Sequence, residues 1–437
     1  MRDIAVTLAF FLALPIAVVR PWVGVLIWAW IGYMNPHQLC FGFATVFPFA
    51  MVVFLVTLFA LFFSGDRKLP KPSRELIVLL LLLLWFTFTT AQAYDSDRAW
   101  NQWNKVIRIQ AGIILTMILI YNRERINALI WTIALSLGYY GFNGLVYVIT
   151  TGGGSNMRGP DGTFIAGNTD LALALVMTLP LLRYLQIHAP QRWMRLGMLA
   201  LMGMTALSVV ATYSRGGLLA MVGMAGLLWL KSRNKLPVLL VVLVILPVVF
   251  TFMPDKWHER MSTIDEYEED ASAMGRINAW RFATNVVKDH PVGGLGFGTF
   301  NPQLFLRYAP NPYDYHDAHS IYFKILAEHG IVGMALFLLF FLLGWRTSTQ
   351  VIKATRGKPE HLWASDLSAM LQTSMFGYAL GGAFLGMCYF DLPYHLVAIA
   401  VLIKQSLQDE GAMAPSVYMS PVSVPVRTPS AARIGTA

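Results

Sequence analysis

Long apolar runs separated by short polar segments dominate the chain from end to end. The runs of membrane-spanning character are 41–63, 76–92, 106–121, 127–149, 165–182, 196–212, 217–230, 236–252, 320–345, 367–389 and 393–405. Several are shorter than the roughly 20 residues of an ideal transmembrane helix, so their ends are approximate. Residues 4–34 form a further apolar tract, broken at Arg20 and Pro21, which predicts either one span or two short helices.

The positions of the basic residues indicate which loops are cytoplasmic, because loops rich in Lys and Arg stay in the cytoplasm. The basic loops carry Arg67, Lys68, Lys71 and Arg74; Arg123 and Arg125; Arg183, Arg192 and Arg195; Lys231, Arg233 and Lys235; and Arg346, Lys353, Arg356 and Lys358. The alternate loops, 93–105, 150–164, 213–216 and 253–318, then lie outside. This pattern predicts about 12 transmembrane helices with both termini cytoplasmic, which we prefer. If 4–34 crosses twice, the count becomes thirteen and the N-terminus lies outside.

The same pattern divides the chain into four parts. Residues 1–252 hold about nine net spans, 253–318 form a long periplasmic loop with short helices, and 319–407 hold three spans. Residues 408–437 are predicted to be a disordered cytoplasmic tail. The predicted fold class is therefore an all-α polytopic membrane protein with one long, partly helical outer loop.

Composition supports this class. Of 437 residues, 56% are apolar and only 13% are charged, against about 25% charged residues in a soluble domain. These values exclude soluble, disordered and collagen-like chains, and two cysteines exclude a disulfide framework or a Cys-based metal site. The net charge of +9 reflects topology signals rather than nucleic-acid binding.

A few basic residues do not follow the rule that basic loops are cytoplasmic, because they lie on the predicted outer face. They are Arg158, Arg215, Arg276, Arg281, His316 and His319. Arg215 lies in the turn TYSRGG at 212–217, where an interfacial arginine that reaches lipid headgroups is the simplest explanation. Gly216 and Gly217 instead favour close approach of a bulky ligand, and a guanidinium suits bidentate phosphate binding.

The other outer residues admit several interpretations. Arg276 shares a predicted helix face with Trp280, whereas Arg281 fits that face less well; an amphipathic helix on the membrane surface explains the same pattern. His316 and His319 share a face if the segment is helical. They could be helix caps, ordinary interfacial residues or half of a metal site. The zinc-protease spacing is missing, so metal binding is weakly supported. A general base is the functional interpretation.

Two glycine-rich segments flank these residues. GGLGFG at 293–298 resembles a nucleotide loop, but no strand precedes it and no Lys-Ser/Thr follows it, so we discard that interpretation. Residues 152–162, which include Arg158, predict a flexible outer loop able to fold over a substrate. Lys324 and Glu328 lie in an apolar run, where they must pair, reach the interface or line a cavity.

Several arginines and at least one histidine beside apolar helices suit a lipid substrate with a phosphate-bearing head. Arginines would bind its diphosphate and stabilise the charge that develops on it as a leaving group. The histidine would deprotonate an attacking hydroxyl. Because no aspartate-rich metal motif is evident outside, the sequence predicts chemistry without a metal or cofactor.

Four motifs resemble the O-antigen ligase superfamily, which also holds O-antigen polymerases and bacterial protein O-oligosaccharyltransferases. They are SRGG at 214–217, Arg276 with Trp280, HPVGGLGFGTF at 290–300 and AHSIYFKILAEHGIVG at 318–333. The last is the most specific, a His followed about nine residues later by Glu-x-Gly, although Ser320 stands where the family usually has Asn. Residues 157–172 also resemble a family loop, with Asn168 in the matching place.

The resemblance implies a glycan transferase of GT-C-like fold. Its donor would be a glycan on undecaprenyl diphosphate at the periplasmic side of the inner membrane, its acceptor lipid A-core, and its reaction inverting without a metal. Arg215 and Arg276 would contact the diphosphate, and His319 would be the catalytic base. Arg158, Arg281 and His316 are further candidates for substrate binding, and His316 has no clear family counterpart.

Two other functions stay open at this point. A polymerase or protein O-oligosaccharyltransferase uses the same donor and differs only in its acceptor, which the motifs do not separate. The lack of a large soluble domain after the last span favours the ligase mildly. A lipid-linked glycan transporter would need polar groups through the midplane and often two related halves, whereas the charged candidates here cluster on one side.

Overall fold

The computed structural model describes residues 1–231 and 271–413, and regular structure in these ranges is entirely helical. The α-helices are α1 (Arg2–Val19), α2 (Pro21–Met34), α3 (Phe49–Phe63), α4 (Arg74–Ala91), α5 (Ser96–Leu119), α6 (Arg123–Thr151), α7 (Asn168–His188), α8 (Arg192–Ala211), α9 (Arg215–Lys231), α10 (Ala271–Asp289), α11 (Pro302–Tyr308), α12 (Ile321–Ala354), α13 (Leu362–Gly381) and α14 (Asp391–Asp409). Short 3-10 helices cover Pro36–Leu39, Phe43–Thr45 and Pro359–His361.

The all-helical class predicted from the sequence is confirmed. Among the described residues, six helices are long and apolar enough to cross a membrane, namely α1, α4, α6, α7, α8 and α12. Helices α2 and α3 are apolar but shorter. The count of 12 spans and the GT-C-like fold stay predictions, and the predicted span 236–252 falls outside the described ranges.

Several boundaries differ from the predicted ones for local reasons. The tract 4–34 forms two helices, because Pro21 opens α2 after the break at Arg20. The predicted outer loop 93–105 is mostly helical, since Asp95 caps α5 by accepting a hydrogen bond from the Arg98 amide at 3.1 Å. The predicted span 367–389 was wrong in its last part, because α13 ends at Gly381 and irregular backbone follows.

The helix predicted around Arg276 and Trp280 in the long outer loop is confirmed by α10. The part of this loop before residue 271 lies outside the described ranges. Helix α14 extends to Asp409, so the first two residues of the predicted tail are helical, and 414–437 fall outside the described ranges.

Helices α7 and α14 form the centre of the bundle. Every residue of the stretches 171–182 in α7 and 391–403 in α14 is buried, as expected for helices surrounded by other helices. Peripheral helices α1, α3 and α8 instead expose large apolar side chains such as Leu12, Phe63 and Leu196. Such surfaces are typical of contact with a membrane or another protein.

The helix ends gather into two groups, which we call the inner end and the outer end. At the inner end, predicted to be cytoplasmic, Arg125 donates to both Asp66 carboxylate oxygens at 2.8 Å. At the outer end, predicted to be periplasmic, the Asn168 amide donates to the Thr212 carbonyl at 2.9 Å. Loops predicted to share a side of the membrane thus meet one another in space.

Candidate active site at the outer end

Arg215 is held by a capped turn. It opens α9, and the Ser214 hydroxyl accepts a hydrogen bond from the Gly217 amide at 3.0 Å, which is the usual way to satisfy a helix N-terminus. Asn168, at the start of α7, holds the carbonyl of Thr212 in the same turn. The half-buried Arg215 guanidinium therefore adds its charge to the positive end of a helix dipole, an arrangement that favours anions.

The two glycines after Arg215 serve packing. A Cβ on Gly217 would lie 2.6 Å from the Ala172 Cβ of α7, and one on Gly216 would lie 3.2 Å from the Phe384 Cβ. Protein atoms fill the space beside both residues, so the interpretation of these glycines as room for a ligand was wrong. They bring Arg215 close to α7 and to the segment 382–390 instead.

His319 lies on irregular backbone before α12. Its φ of 42° is left-handed, and α12 begins only at Ile321, so the segment is not helical and the condition for a shared helical face of His316 and His319 is not met. The His316 ring bonds the Asp314 carboxylate at 2.8 Å. It also faces α10, since a Cβ on Gly275 would lie 2.5 Å from the His316 Cδ2.

A set of charged groups surrounds His319; we call Arg276, Asp317, His319 and Lys324 the His319 cluster. Lys324 Nζ lies 3.0 Å from both carboxylate oxygens of Asp317. Burial raises the pKa of Asp317, but the charge and hydrogen bond of Lys324, together with His319 and a backbone hydrogen bond from Ala318, lower this pKa overall. The predicted pairing of Lys324 is therefore confirmed, and the cluster contains a fixed carboxylate beside the histidine.

The pKa of His319 is lowered from its ordinary value. Burial is the main cause, the positive charges of Arg276 and Lys324 add to it, and Asp317 opposes it. The imidazole is therefore neutral near pH 7 and able to accept a proton.

Helix α10 is fixed against the segment that carries His319. The Trp280 indole donates to the Ala318 carbonyl at 2.8 Å, and its ring stacks on Phe323 with centroids 5.1 Å apart. Arg276, one turn earlier, interacts electrostatically with His319. Because the apolar face of α10 packs on protein, the alternative of a helix resting on the membrane surface loses its support. Arg281 is exposed and is not brought into the cluster.

Arg158 lies on the other side of the site. The Met157 amide donates to the Ala211 carbonyl at 2.9 Å, and the Tyr213 hydroxyl bonds the Gly153 carbonyl. The predicted glycine-rich loop is therefore anchored beside the Arg215 turn, with the Arg158 side chain exposed.

The segment 382–390 links the two parts of the site, and the sequence analysis missed it. Phe384 meets Gly216 of the Arg215 turn, whereas a Cβ on Gly386 would lie 3.2 Å from Asp317 Oδ2 and 3.7 Å from His319 Cα. Its apolar composition predicted the end of a span. The irregular backbone instead joins Arg215 to the His319 cluster.

The glycine-rich motif and the Glu-x-Gly motif form one interlocked unit. Gly330 breaks α12 with φ 66° and ψ −168°, which frees backbone groups of the preceding turn. The Leu295 amide donates to the Ala327 carbonyl at 3.0 Å, and the Gly296 amide to the Glu328 carbonyl at 2.8 Å. These amides are occupied by protein carbonyls, which agrees with discarding a nucleotide loop at 293–298.

The Glu328 side chain extends this unit into a buried network. It accepts from the Gly298 amide at 3.1 Å and from the Tyr389 hydroxyl. His329 lies 2.9 Å from the Tyr389 hydroxyl and 2.7 Å from that of Thr89. The network joins α4, α12, the glycine-rich loop and the segment 382–390. Glu328, His329 and Gly298 lie in motifs that the sequence singled out, whereas Thr89 and Tyr389 belong to no recognisable motif.

Fold and site together define a class: an α-helical, polytopic membrane protein with a histidine and several cations collected at one end of its bundle. Residues 199–338, which contain Arg215, Arg276 and His319, match the family model of O-antigen ligase. This match supports the resemblance to the O-antigen ligase/polymerase superfamily that the motifs predicted. Residues 1–190 match a family of unknown function, DUF5935. No curated protein matches the chain.

Proposed function

We propose that the protein is an O-antigen ligase, a glycosyltransferase that moves a glycan from undecaprenyl diphosphate to the lipid A-core oligosaccharide at the periplasmic face of the bacterial inner membrane. The observation that carries the proposal is His319 held with Arg276, Asp317 and Lys324 in one cluster, at the same end of the bundle as Arg215. The O-antigen ligase domain at 199–338 supports the ligase or polymerase type of reaction.

In the proposed reaction, His319 accepts the proton of an acceptor hydroxyl while that oxygen attacks the anomeric carbon of the donor sugar. The attack comes from the face opposite the diphosphate, so the configuration inverts. The bond between the anomeric carbon and the diphosphate oxygen breaks, and undecaprenyl diphosphate leaves with the electron pair. The protonated His319 then returns its proton to solvent.

The arginines stabilise the leaving group. Arg215 and Arg276 bind diphosphate oxygens, and their attraction grows as negative charge develops on the bridging oxygen. Lys324 is held by Asp317 and sets the field around His319. Because the cations belong to the protein, the proposed reaction uses no metal. We assign Arg158, His316 and Arg281, which lie outside the His319 cluster, to glycan binding rather than to bond making.

The test uses purified full-length protein in lipid vesicles with an undecaprenyl-diphosphate-linked glycan and lipid A-core. We expect His319→Ala to lower the transfer rate by roughly 100-fold to 10,000-fold, the usual contribution of a general base. His361→Ala, a histidine at the inner end, is the matched control and should retain transfer. Arg215→Ala and Arg276→Ala should weaken donor use while the protein stays folded; full transfer by both would refute the diphosphate assignment.

The acceptor decides between members of the superfamily. Offered as competing acceptors, a second lipid-linked glycan and a protein should receive little glycan compared with lipid A-core. Preferential transfer to the lipid-linked glycan would indicate a polymerase, and preferential transfer to the protein would indicate a protein O-oligosaccharyltransferase. Movement of the donor across the vesicle bilayer without any new glycosidic bond would contradict the proposal that the protein is a glycosyltransferase.

A further inference from the structure

A cavity of about 580 Å³ opens at the inner end, far from the His319 cluster. Its walls are the start of α4, the last turns of α12 and the C-terminal half of α14. Four basic residues line it, Lys71, Arg74, Arg346 and Lys404, against one acidic residue, Glu75. A volume of this size lies within the range of about 300–1,000 Å³ found for small-molecule sites.

The charge of the cavity is only partly neutralised. Glu75 is 7% exposed and accepts a hydrogen bond from the Thr347 hydroxyl. Lys71 pairs with Asp409 at 2.6 Å, whereas Lys404 donates to the neutral Gln350 amide oxygen at 2.8 Å. Within the part of the chain that the structure describes, no carboxylate forms an ion pair with Arg346 or Lys404.

The backbone adds to this positive potential. Ser73 caps α4 by accepting from the Leu76 amide at 3.2 Å, so the N-terminus of an 18-residue helix lies at the cavity. Amides and partial positive charge at such a terminus favour an anion.

Apolar stripes continue from two of the cations along the outside of the bundle. On α4, Arg74 is followed on the same face by Ile77 and Leu81, each 46% exposed. On α12, Arg346 is preceded on one face by Leu342 and Leu339, 49% and 40% exposed. Helices α4 and α12 pack against each other, so two lipid-facing stripes lead to one basic cavity.

We propose that this cavity binds the phosphate of an anionic phospholipid in the leaflet at the inner end, with the acyl chains along the stripes of α4 and α12. Phosphate suits the guanidinium and ammonium donors, and basic pockets between cytoplasmic helix ends are known to hold anionic headgroups. A soluble phosphate shares the headgroup chemistry but leaves the stripes unused. The site is separate from glycan transfer.

Native mass spectrometry of the full-length protein in detergent, titrated with phosphatidylglycerol, tests the proposal. Arg346→Gln combined with Lys404→Gln should weaken phosphatidylglycerol binding roughly tenfold or more, since each Lys or Arg near the membrane surface adds to the free energy of binding anionic lipid. Arg192→Gln, an exposed arginine at the inner end outside the cavity, is the matched control and should bind normally. Arg346→Lys keeps the charge and should retain most of the binding.

Competition with other ligands distinguishes a phospholipid site from a site for soluble phosphate. Phosphatidylcholine should not displace phosphatidylglycerol, and inorganic phosphate at the same concentration should not either. Equal binding of phosphatidylcholine, displacement by inorganic phosphate, or unchanged affinity of the double variant would each overturn the proposal. An unaltered melting temperature of the double variant in phosphatidylcholine shows that it is folded. His319→Ala should bind the lipid normally, whatever its effect on glycan transfer.

Discussion

Charged groups of the His319 cluster at the outer end are tied to one another, whereas several charged groups at the inner end surround an open cavity. Lys324 is paired with Asp317 beside His319, whose backbone is left-handed, and the non-helical segment 382–390 adjoins both Asp317 and His319. At the inner end, Arg74 lies in the first turn of the capped helix α4, and Arg346 lies in the C-terminal half of α12. Both of these arginines are exposed and line the cavity.

The difference fits the roles that we propose for the two ends. A catalytic centre must hold its groups within fractions of an ångström, and it does so with supporting contacts around each of them. A headgroup site needs only positive charge at the correct depth in the membrane. Changes to the backbone and buried polar groups should therefore be more damaging at the outer end than at the inner end.

The largest effect is expected at Gly330. Its φ and ψ lie in a region that only glycine adopts readily, and a Cβ there would lie 2.2 Å from the Val292 carbonyl oxygen. We expect Gly330→Ala to destabilise the fold by about 3 kcal/mol or more, combining backbone strain with overpacking. Thermal melting of the purified protein, together with the yield of folded protein, measures this effect.

Gly203→Ala is the control for Gly330→Ala. Gly203 lies within α8, and a Cβ there meets no atom within 4 Å. Because alanine is a better helix former, this change should be neutral or slightly stabilising, by up to about 1 kcal/mol. Equal melting temperatures for the two variants would show that the break in α12 is not under the constraint described.

The second prediction compares one buried glutamate from each end. Glu328 is 2% exposed and accepts from two donors, the Gly298 amide and the Tyr389 hydroxyl. Glutamine would turn an NH₂ group toward one of them, so Glu328→Gln should cost about 1–3 kcal/mol. Glu75 accepts from Thr347, which a glutamine oxygen can still satisfy, and Glu75→Gln should cost less than about 1 kcal/mol. If Glu75→Gln lowered the melting temperature more than Glu328→Gln, buried polar groups would be more sensitive at the inner end, contrary to our expectation.

Helix positions and the outer basic residues were accessible from the sequence. Apolar runs and basic loops located α4, α6 and α7 to within a few residues, because helix length and charge placement are local properties. Arg215, Arg276 and His319 stood out because they break the charge rule, which again needs no knowledge of the fold.

The assembly of the site was not accessible in this way. Residues 382–390 have the composition of a span, and their backbone is set by contacts such as the Ile321 amide with the Gly382 carbonyl at 2.8 Å. Gly217 was misinterpreted because its neighbour, Ala172, is distant in sequence. Tyr389 lacked any motif, although it bonds Glu328. Each failure concerns a tertiary contact that no local pattern records.

The smallest effect concerns the pH dependence that Asp317 gives to His319. The pKa of His319 is below 6.5, chiefly through burial and then through its cationic neighbours. Since the neutral imidazole is the proposed base, kcat/KM for glycan transfer should be flat near neutral pH and fall as pH drops through that lowered pKa. Asp317 is the group that raises this pKa. Asp317→Asn should therefore move the acid limb to lower pH.

Profiles of kcat/KM against pH for the native protein and Asp317→Asn make the measurement. His361→Ala, at the inner end, should leave the limb in place. The direction of the shift is informative even where the variant is less active, because a lower rate moves the whole profile down without moving its inflection. A limb that moves to higher pH, or one that stays fixed, would mean that the group titrating in the profile does not lie beside Asp317, and the assignment of His319 as the base would fail with it.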